Sequence, residues 1–333
     1  MNTALRALAA AAAALGAVSC AQAPPASKDS VAAYVANAER LAGNDLKPLL
    51  VLCKPAAPKR PAQAMIDKFL AAQVARPAPE PGRAFDNLYF VGAAWVSAWA
   101  IATPKGVILI DALDNDAEAE KLVDGGMRKL GLDPSSIRYI LVTHAHGDHY
   151  GGADYLVLRY RSAIVMSEVD WQQAEGKLEF DSPVWGRPPK YNPARDRRVK
   201  DGDQIALGDA TVTIHITAGH THGTVTPVFE VKDGGTTHRV LLWGGTAFNF
   251  GKDIPRLDSY IEGTERMARI AREQGIDVMI SNHSGYDGSL AKLDALRKGA
   301  APNPFIIGND AVVRGLEVMG ECAKAQRDRY KLE

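Results

Sequence analysis

The stretch Thr143-His144-Ala145-His146-Gly147-Asp148-His149-Tyr150-Gly151-Gly152 follows a short apolar run, Tyr139-Ile140-Leu141-Val142, that reads as a buried strand. Four side chains able to hold a metal therefore fall within six residues, immediately where a strand stops. Chain leaving a strand can fan its side chains around one point, which a regular helix or strand cannot do at this spacing. Three imidazoles and one carboxylate suit zinc, which prefers nitrogen and oxygen ligands in a compact shell. Beyond the two glycines, Ala153 to Tyr160 is apolar-periodic and reads as a helix. The chain must therefore build a strand–loop–helix unit whose loop faces a metal site.

Two later histidines share that setting. His220 ends a strand in Thr217-Ala218-Gly219-His220-Thr221-His222-Gly223, and His283 ends another in Ile280-Ser281-Asn282-His283-Ser284-Gly285. Beside glycines at strand ends, both are available to a cleft along one edge of a sheet. His222 is a candidate to line the same site. His215, in mid-strand, reads as a surface or packed residue, and His238, beside a hairpin turn, as solvent-exposed.

The N-terminus reads as an export signal over residues 1–21. Arg6 gives a short positive region, and Ala7 through Val18 is an uncharged apolar run too short to span a bilayer. Cleavage after Ala21 predicts a periplasmic or secreted chain, with lipidation at Cys20 as the alternative. Two cysteines then remain, Cys53 and Cys322, either joined in an oxidising compartment or left as free thiols.

Residues 22–84 read as a Pro- and Ala-rich arm with two short helices. One is expected over Val31–Leu41, capped by Ser30, and one over Ala62–Val74, with Met65, Phe69 and Leu70 as its apolar side. Residues 85–333 read as the main domain. Strands are expected at 88–91, 96–102, 106–110, 163–166, 210–217, 224–231, 240–243 and 277–281, and helices at 117–130, 168–175, 259–273, 290–298 and 310–330. Two sets of strands flanked by helices predict an α/β fold, a four-layer αβ/βα sandwich. Asp111, an acidic residue ending an apolar strand, is badly placed for a core and reads as a group that caps or orients something nearby. Residues 176–200, with Trp185 and Tyr191, read as a long loop that is either a wall of the cleft or a structural excursion. Acidic and basic residues balance at 39 each, so bulk charge suggests neither a nucleic-acid nor an anionic-membrane partner. A small-molecule substrate is expected instead.

The pattern His144-x-His146-x-Asp148-His149, with Gly219-His220 and His283, resembles the metallo-β-lactamase superfamily. Phe85-Asp86-Asn87-Leu88-Tyr89-Phe90-Val91-Gly92 and Thr103-Pro104-Lys105-Gly106 are similar to its third subclass of zinc β-lactamases (subclass B3). The likeness covers about residues 84–325. It implies the metallo-β-lactamase fold and two zinc ions, one on His144, His146 and His220 and the other on Asp148, His149 and His283. It further implies that Asp111 orients the histidine loop and that Asp148 is catalytic. Many other hydrolases of the superfamily, glyoxalase II and lactone hydrolases among them, place a metal-bridging aspartate after the strand equivalent to Val240–Trp243. Here that strand runs into Gly244-Gly245-Thr246.

Gly147 and Tyr150 stand where members of the subclass often carry a bulkier residue and an alanine. The subclass's serine-containing pocket is replaced by Thr246-Ala247-Phe248-Asn249, in which Thr246 and Asn249 are candidate substrate contacts. The activity this resemblance implies is that of an exported di-zinc hydrolase that confers antibiotic resistance. It would open the β-lactam ring by attack of a hydroxide bridging the two ions. The alternative is a di-zinc hydrolase of another cyclic ester or amide, such as a lactonase.

Overall fold

A computed structural model describes residues 25–333; the signal segment and Cys20 lie outside the described residues. Seven strands form the first sheet in sequence order: Gly82–Phe85 (β1), Leu88–Phe90 (β2), Trp99–Thr103 (β3), Gly106–Ile110 (β4), Ile137–Leu141 (β5), Ala163–Ser167 (β6) and Arg197–Val199 (β7). The first four run antiparallel, whereas β4 to β7 are parallel. All of Gly-Val-Ile-Leu-Ile in β4 is buried, as an apolar strand covered on both faces must be. The second sheet has five strands, Gln204–Leu207 (β8), Ala210–Ile216 (β9), Val225–Asp233 (β10), Thr236–Trp243 (β11) and Val278–Ser281 (β12), in the order β12-β11-β10-β9-β8.

One apolar cluster lies between the sheets, joining Phe90, Trp99 and Ile108 to Val212, Phe229 and Leu242. A second lies outside the seven-stranded sheet, under Ala153–Tyr160, Glu168–Glu175 and the helical stretch 116–129. A third covers the five-stranded sheet with the helices Lys28–Ala42 (α1), Ile254–Gln274 and Asn309–Leu332. The four layers match the expected sandwich.

The differences are local and have identifiable causes. Ser27, not Ser30, caps α1; Ser30 stands three residues on and completes a capping box with it. The arm carries a 3₁₀ turn, Lys47–Cys53, besides α1 and the second helix, Gln63–Val74 (α2). The helix expected from 259 starts at Ile254, because Asp253 caps it and Pro255 is tolerated in a first turn. The stretch 116–129 is continuous but contains a π-helical segment, Ala119–Asp124. The short edge strands β1, β7 and β8 lack the length that makes a period visible. Residues 96–98 are outside β3, yet Val96 forms an isolated bridge with His283 and so ties that residue to the segment leading into β3.

Cys53 and Cys322 are joined as a disulfide, which ties the arm to the last helix. In α2, Leu70 is buried, but Met65 and Phe69 are 66% and 53% exposed. That apolar side faces a cleft rather than the core. Among the described residues no helix is long and apolar enough to cross a membrane.

Candidate metal centre

The cleft opens where β4, β5, β11 and β12 end. Asp111 follows β4 with φ +63°, a left-handed conformation that costs any residue with a Cβ, though aspartate less than most. Its carboxylate, fully buried, accepts from Thr143 N at 2.7 Å and Thr143 Oγ1 at 2.9 Å, and from His149 Nδ1 at 2.8 Å. Asp111 therefore grips both ends of the histidine loop.

The loop's backbone then divides its ligands. His144 and His146 lie in the bend 143–146 that leaves the strand, and Gly147–Tyr150 forms one helical turn that carries Asp148 and His149. His144 Nε2, His146 Nδ1 and His220 Nε2 converge, each pair 3.1 Å apart. Their remaining ring nitrogens face acceptors: His144 Nδ1 is 2.7 Å from Gly244 O, His220 Nδ1 2.8 Å from Ala247 O, and His146 Nε2 3.4 Å from a Glu179 carboxylate oxygen. Those acceptors require N–H on the outer nitrogens, so the three inner nitrogens present lone pairs to one another. Lone pairs at that spacing need a cation between them. The donor set and the tautomers thus fit zinc.

A second set follows the same rule. His149 Nε2 is 3.3 Å from His283 Nε2 and 3.3 Å from Asp148 Oδ2, which is 3.6 Å from His283 Nε2. The outer nitrogens again face acceptors, Asp111 for His149 and Trp95 O, at 3.0 Å, for His283. The ligating atoms of His144, Asp148 and His149 lie within 4.8 Å of one another, so the two sets are contiguous.

Burial pushes the His149 imidazolium down, but Asp148 and Asp111 outweigh it and raise its pKa to about 10, so the carboxylates call for a positive charge at its inner nitrogen, a proton or an ion that replaces it. Burial pushes Asp148 up, yet His149, His283 and His146 hold it well below the usual carboxylate range. The charges are arranged for a positive centre.

The cleft has a volume of about 860 Å³ and is lined by His146, Asp148, His220 and His283 together with aromatic walls. Trp95 lies with its ring 4.8 Å from that of His283 and meets Phe69 of α2 edge-on at 5.7 Å. Phe180 meets His146 edge-on at 5.0 Å. Trp185 and Phe180, from the loop 176–200, form one wall; Tyr191 packs instead on Trp171 at 5.2 Å, away from the cleft. That loop is both a wall and a structural excursion.

Of the expected substrate contacts, Asn249 and Trp185 line the cleft. Thr246 does not: it is buried, with its hydroxyl 3.4 Å from Ser281 Oγ. His222 is exposed and points away, because Asp170 holds its neighbours inward through Thr221 Oγ1 at 2.8 Å and Gly223 N at 2.9 Å. His215 is packed, and His238, expected in solvent, is partly buried and paired with Asp277 at 2.6 Å.

Sequence reasoning missed Asp170 and Asn282. Asp170 also accepts from Ala145 N at 2.8 Å, so one buried carboxylate joins the His144–His146 loop to the His220 loop. Asn282 donates to Thr143 Oγ1 at 2.9 Å and to Gly244 O at 2.7 Å. No local pattern marks either residue.

The chain was compared with known proteins. The family model of the metallo-β-lactamase superfamily matches residues 94–234. A hydroxyacylglutathione hydrolase of Francisella tularensis subsp. novicida is 33% identical over 144 residues, 43% of this chain and 44% of that protein. The chain thus spans less than half the length of this curated relative. One from Brucella anthropi is 26% identical over 60% of this chain and 77% of its own. Among solved structures, BJP-1, a subclass B3 metallo-β-lactamase of Bradyrhizobium japonicum, is 30% identical, with a TM-score of 0.60 over 72% of this chain and 90% of that one. FEZ-1 of Legionella gormanii, 23% identical with a TM-score of 0.61 over 72% of this chain and 94% of its own, shares the fold.

Proposed function

Since the chain belongs to the metallo-β-lactamase superfamily and is a hydrolase of that fold, we propose that it is an exported di-zinc enzyme that opens the β-lactam ring of antibiotics. His144, His146 and His220 would hold one ion, and Asp148, His149 and His283 the other. Zinc bound there supplies Lewis acidity toward a carbonyl and makes water acidic near neutral pH.

The chain's own groups do the rest. Asp148, kept ionised by the surrounding imidazoles, accepts a proton from the attacking water and returns it toward the leaving nitrogen. Trp95, Phe180 and Trp185 exclude bulk water and flank the ring system. Apart from the histidines, Arg76 is the basic residue that lines the cleft, whereas Arg256 is committed to Glu179 at 2.6 and 2.8 Å. We assign to Arg76 the carboxylate that β-lactam antibiotics carry.

The observation that carries this reading is the space at Gly244 and Gly245. A Cβ at Gly244 would stand 1.9 Å from Val225 O, and one at Gly245 2.6 Å from His220 Cβ. A bridging carboxylate has no room there, which supports the six-ligand set over that of a lactonase or of glyoxalase II. Export is supported by the disulfide, a feature of oxidising compartments.

The test is a substrate panel with the zinc-loaded protein. Hydrolysis of a penicillin, cephalosporin or carbapenem that is lost in Asp148→Ala supports the proposal. Turnover confined to an acyl-homoserine lactone or a hydroxyacylglutathione overturns it.

A further inference from the structure

Three histidines converge on the first half-site, and the groups behind them are unequal. His144 and His220 rest on the neutral carbonyls of Gly244 and Ala247. His146 instead meets a carboxylate, Glu179, whose side chain is 8% exposed. Glu179 belongs to the loop after Glu168–Glu175, far from the ligands in sequence.

That carboxylate is built in from two further sides. Arg256 donates to both of its oxygens, at 2.6 and 2.8 Å. The same guanidinium donates through Nε to Gly219 O at 2.7 Å and also reaches His220 O. Arg60, from the N-terminal arm, pairs with the Glu179 carboxylate and donates to its backbone oxygen at 2.6 Å. Beside it, Gln63 Nε2 donates to Asp181 O at 2.6 Å. A surface salt bridge has no need of a buried guanidinium, a second one from the arm and a histidine. A carboxylate behind a ligating imidazole fixes its tautomer and orientation and makes the ring a better donor.

We propose that Glu179 is a positioning residue for the first metal half-site. It holds His146 with Nδ1 toward the ion, while Arg256 couples it to the His220 turn and Arg60 makes it depend on the arm. This rests on the metal-centre part of the reading above and not on the β-lactam.

The test measures zinc affinity of the full mature chain by competition with a chromophoric chelator, in two backgrounds. His283→Ala isolates the first half-site and His220→Ala the second. Glu179→Gln is expected to weaken binding roughly 10- to 100-fold in the first background. In the second it should leave affinity unchanged. Thermal melting of the zinc-free proteins checks that the fold survives. Equal affinity with and without Glu179→Gln in the first background overturns the proposal, and so does an equal loss in both.

If Glu179→Gln does not fold, Arg60→Gln serves, since Arg60 is 38% exposed. It is expected to cost about two- to fivefold in the first background alone. No change there overturns the arm's part. Failure of the wild-type chain to bind zinc overturns the metal-centre reading and this inference with it, whereas zinc binding without β-lactam turnover leaves this inference standing.

Discussion

Gly147 and Trp185 occupy adjoining space over the metal loop: a Cβ at Gly147 would lie 2.3 Å from Trp185 Cδ2. The indole is held there by its Nε1–H, which donates to Asp114 Oδ1 at 2.8 Å. Glycine at this point of the motif is therefore the complement of a tryptophan 38 positions on. Gly147→Ala is expected to cost about 1–3 kcal/mol by overpacking. Trp185→Ala in the same chain should recover most of that loss, which urea melts of the four proteins in the cycle would reveal. Purely additive losses would separate the two residues.

Asp111 predicts a metal phenotype without touching a metal. Asp111→Asn retains the size but cannot accept from Thr143 and His149 as a carboxylate does. Zinc affinity at the second half-site should fall roughly 10- to 100-fold. Calorimetric titration in a His220→Ala background reads this directly, and an unchanged constant would contradict the role.

Asp114 sets a pH dependence. Burial, then the charges of Asp148 and Glu118, push its pKa up from 3.8 to about 9. Between those values the folded chain holds a proton that the unfolded chain has released. Its contribution to stability is thus fully present below about pH 4 and is lost as pH rises toward 9. In zinc-free protein Asp114→Asn should gain on wild type from pH 5 to pH 9, as measured by melts at both. A difference that stays constant with pH would refute the shift.

Reducing the Cys53–Cys322 bond should weaken the whole fold, because it anchors the arm to the last helix. The paired change Cys53→Ser with Cys322→Ser is expected to cost about 2–5 kcal/mol in denaturant melts. A loss below 1 kcal/mol would mean that the arm is held by its other contacts.

The convergence of the candidate ligands was legible because histidines are few and four of the six sit in one motif after a strand. The layers were legible through the unbroken apolar run of β4, the alternation in β9 and the periods of the flanking helices. Glu179, Asp170 and Arg256 were not. Each is one charged residue among many on a loop or helix, and each gains a role only when distant segments meet. The apolar side of α2 was legible as a stripe, but periodicity cannot tell a face packed on the core from one facing a cleft. Met65 and Phe69 do the latter. Thr246 and His222 failed for a related reason: one step from Ala247 and two from His220, each lies off the cleft that those residues line.

The most direct measurement is the rate of β-lactam ring opening as zinc is titrated into metal-free protein, followed by loss of the lactam absorbance. Opening should be absent without zinc, rise with added metal and reach a plateau by two equivalents. Zinc bound to two equivalents with no ring opening of any penicillin, cephalosporin or carbapenem would contradict the proposed function.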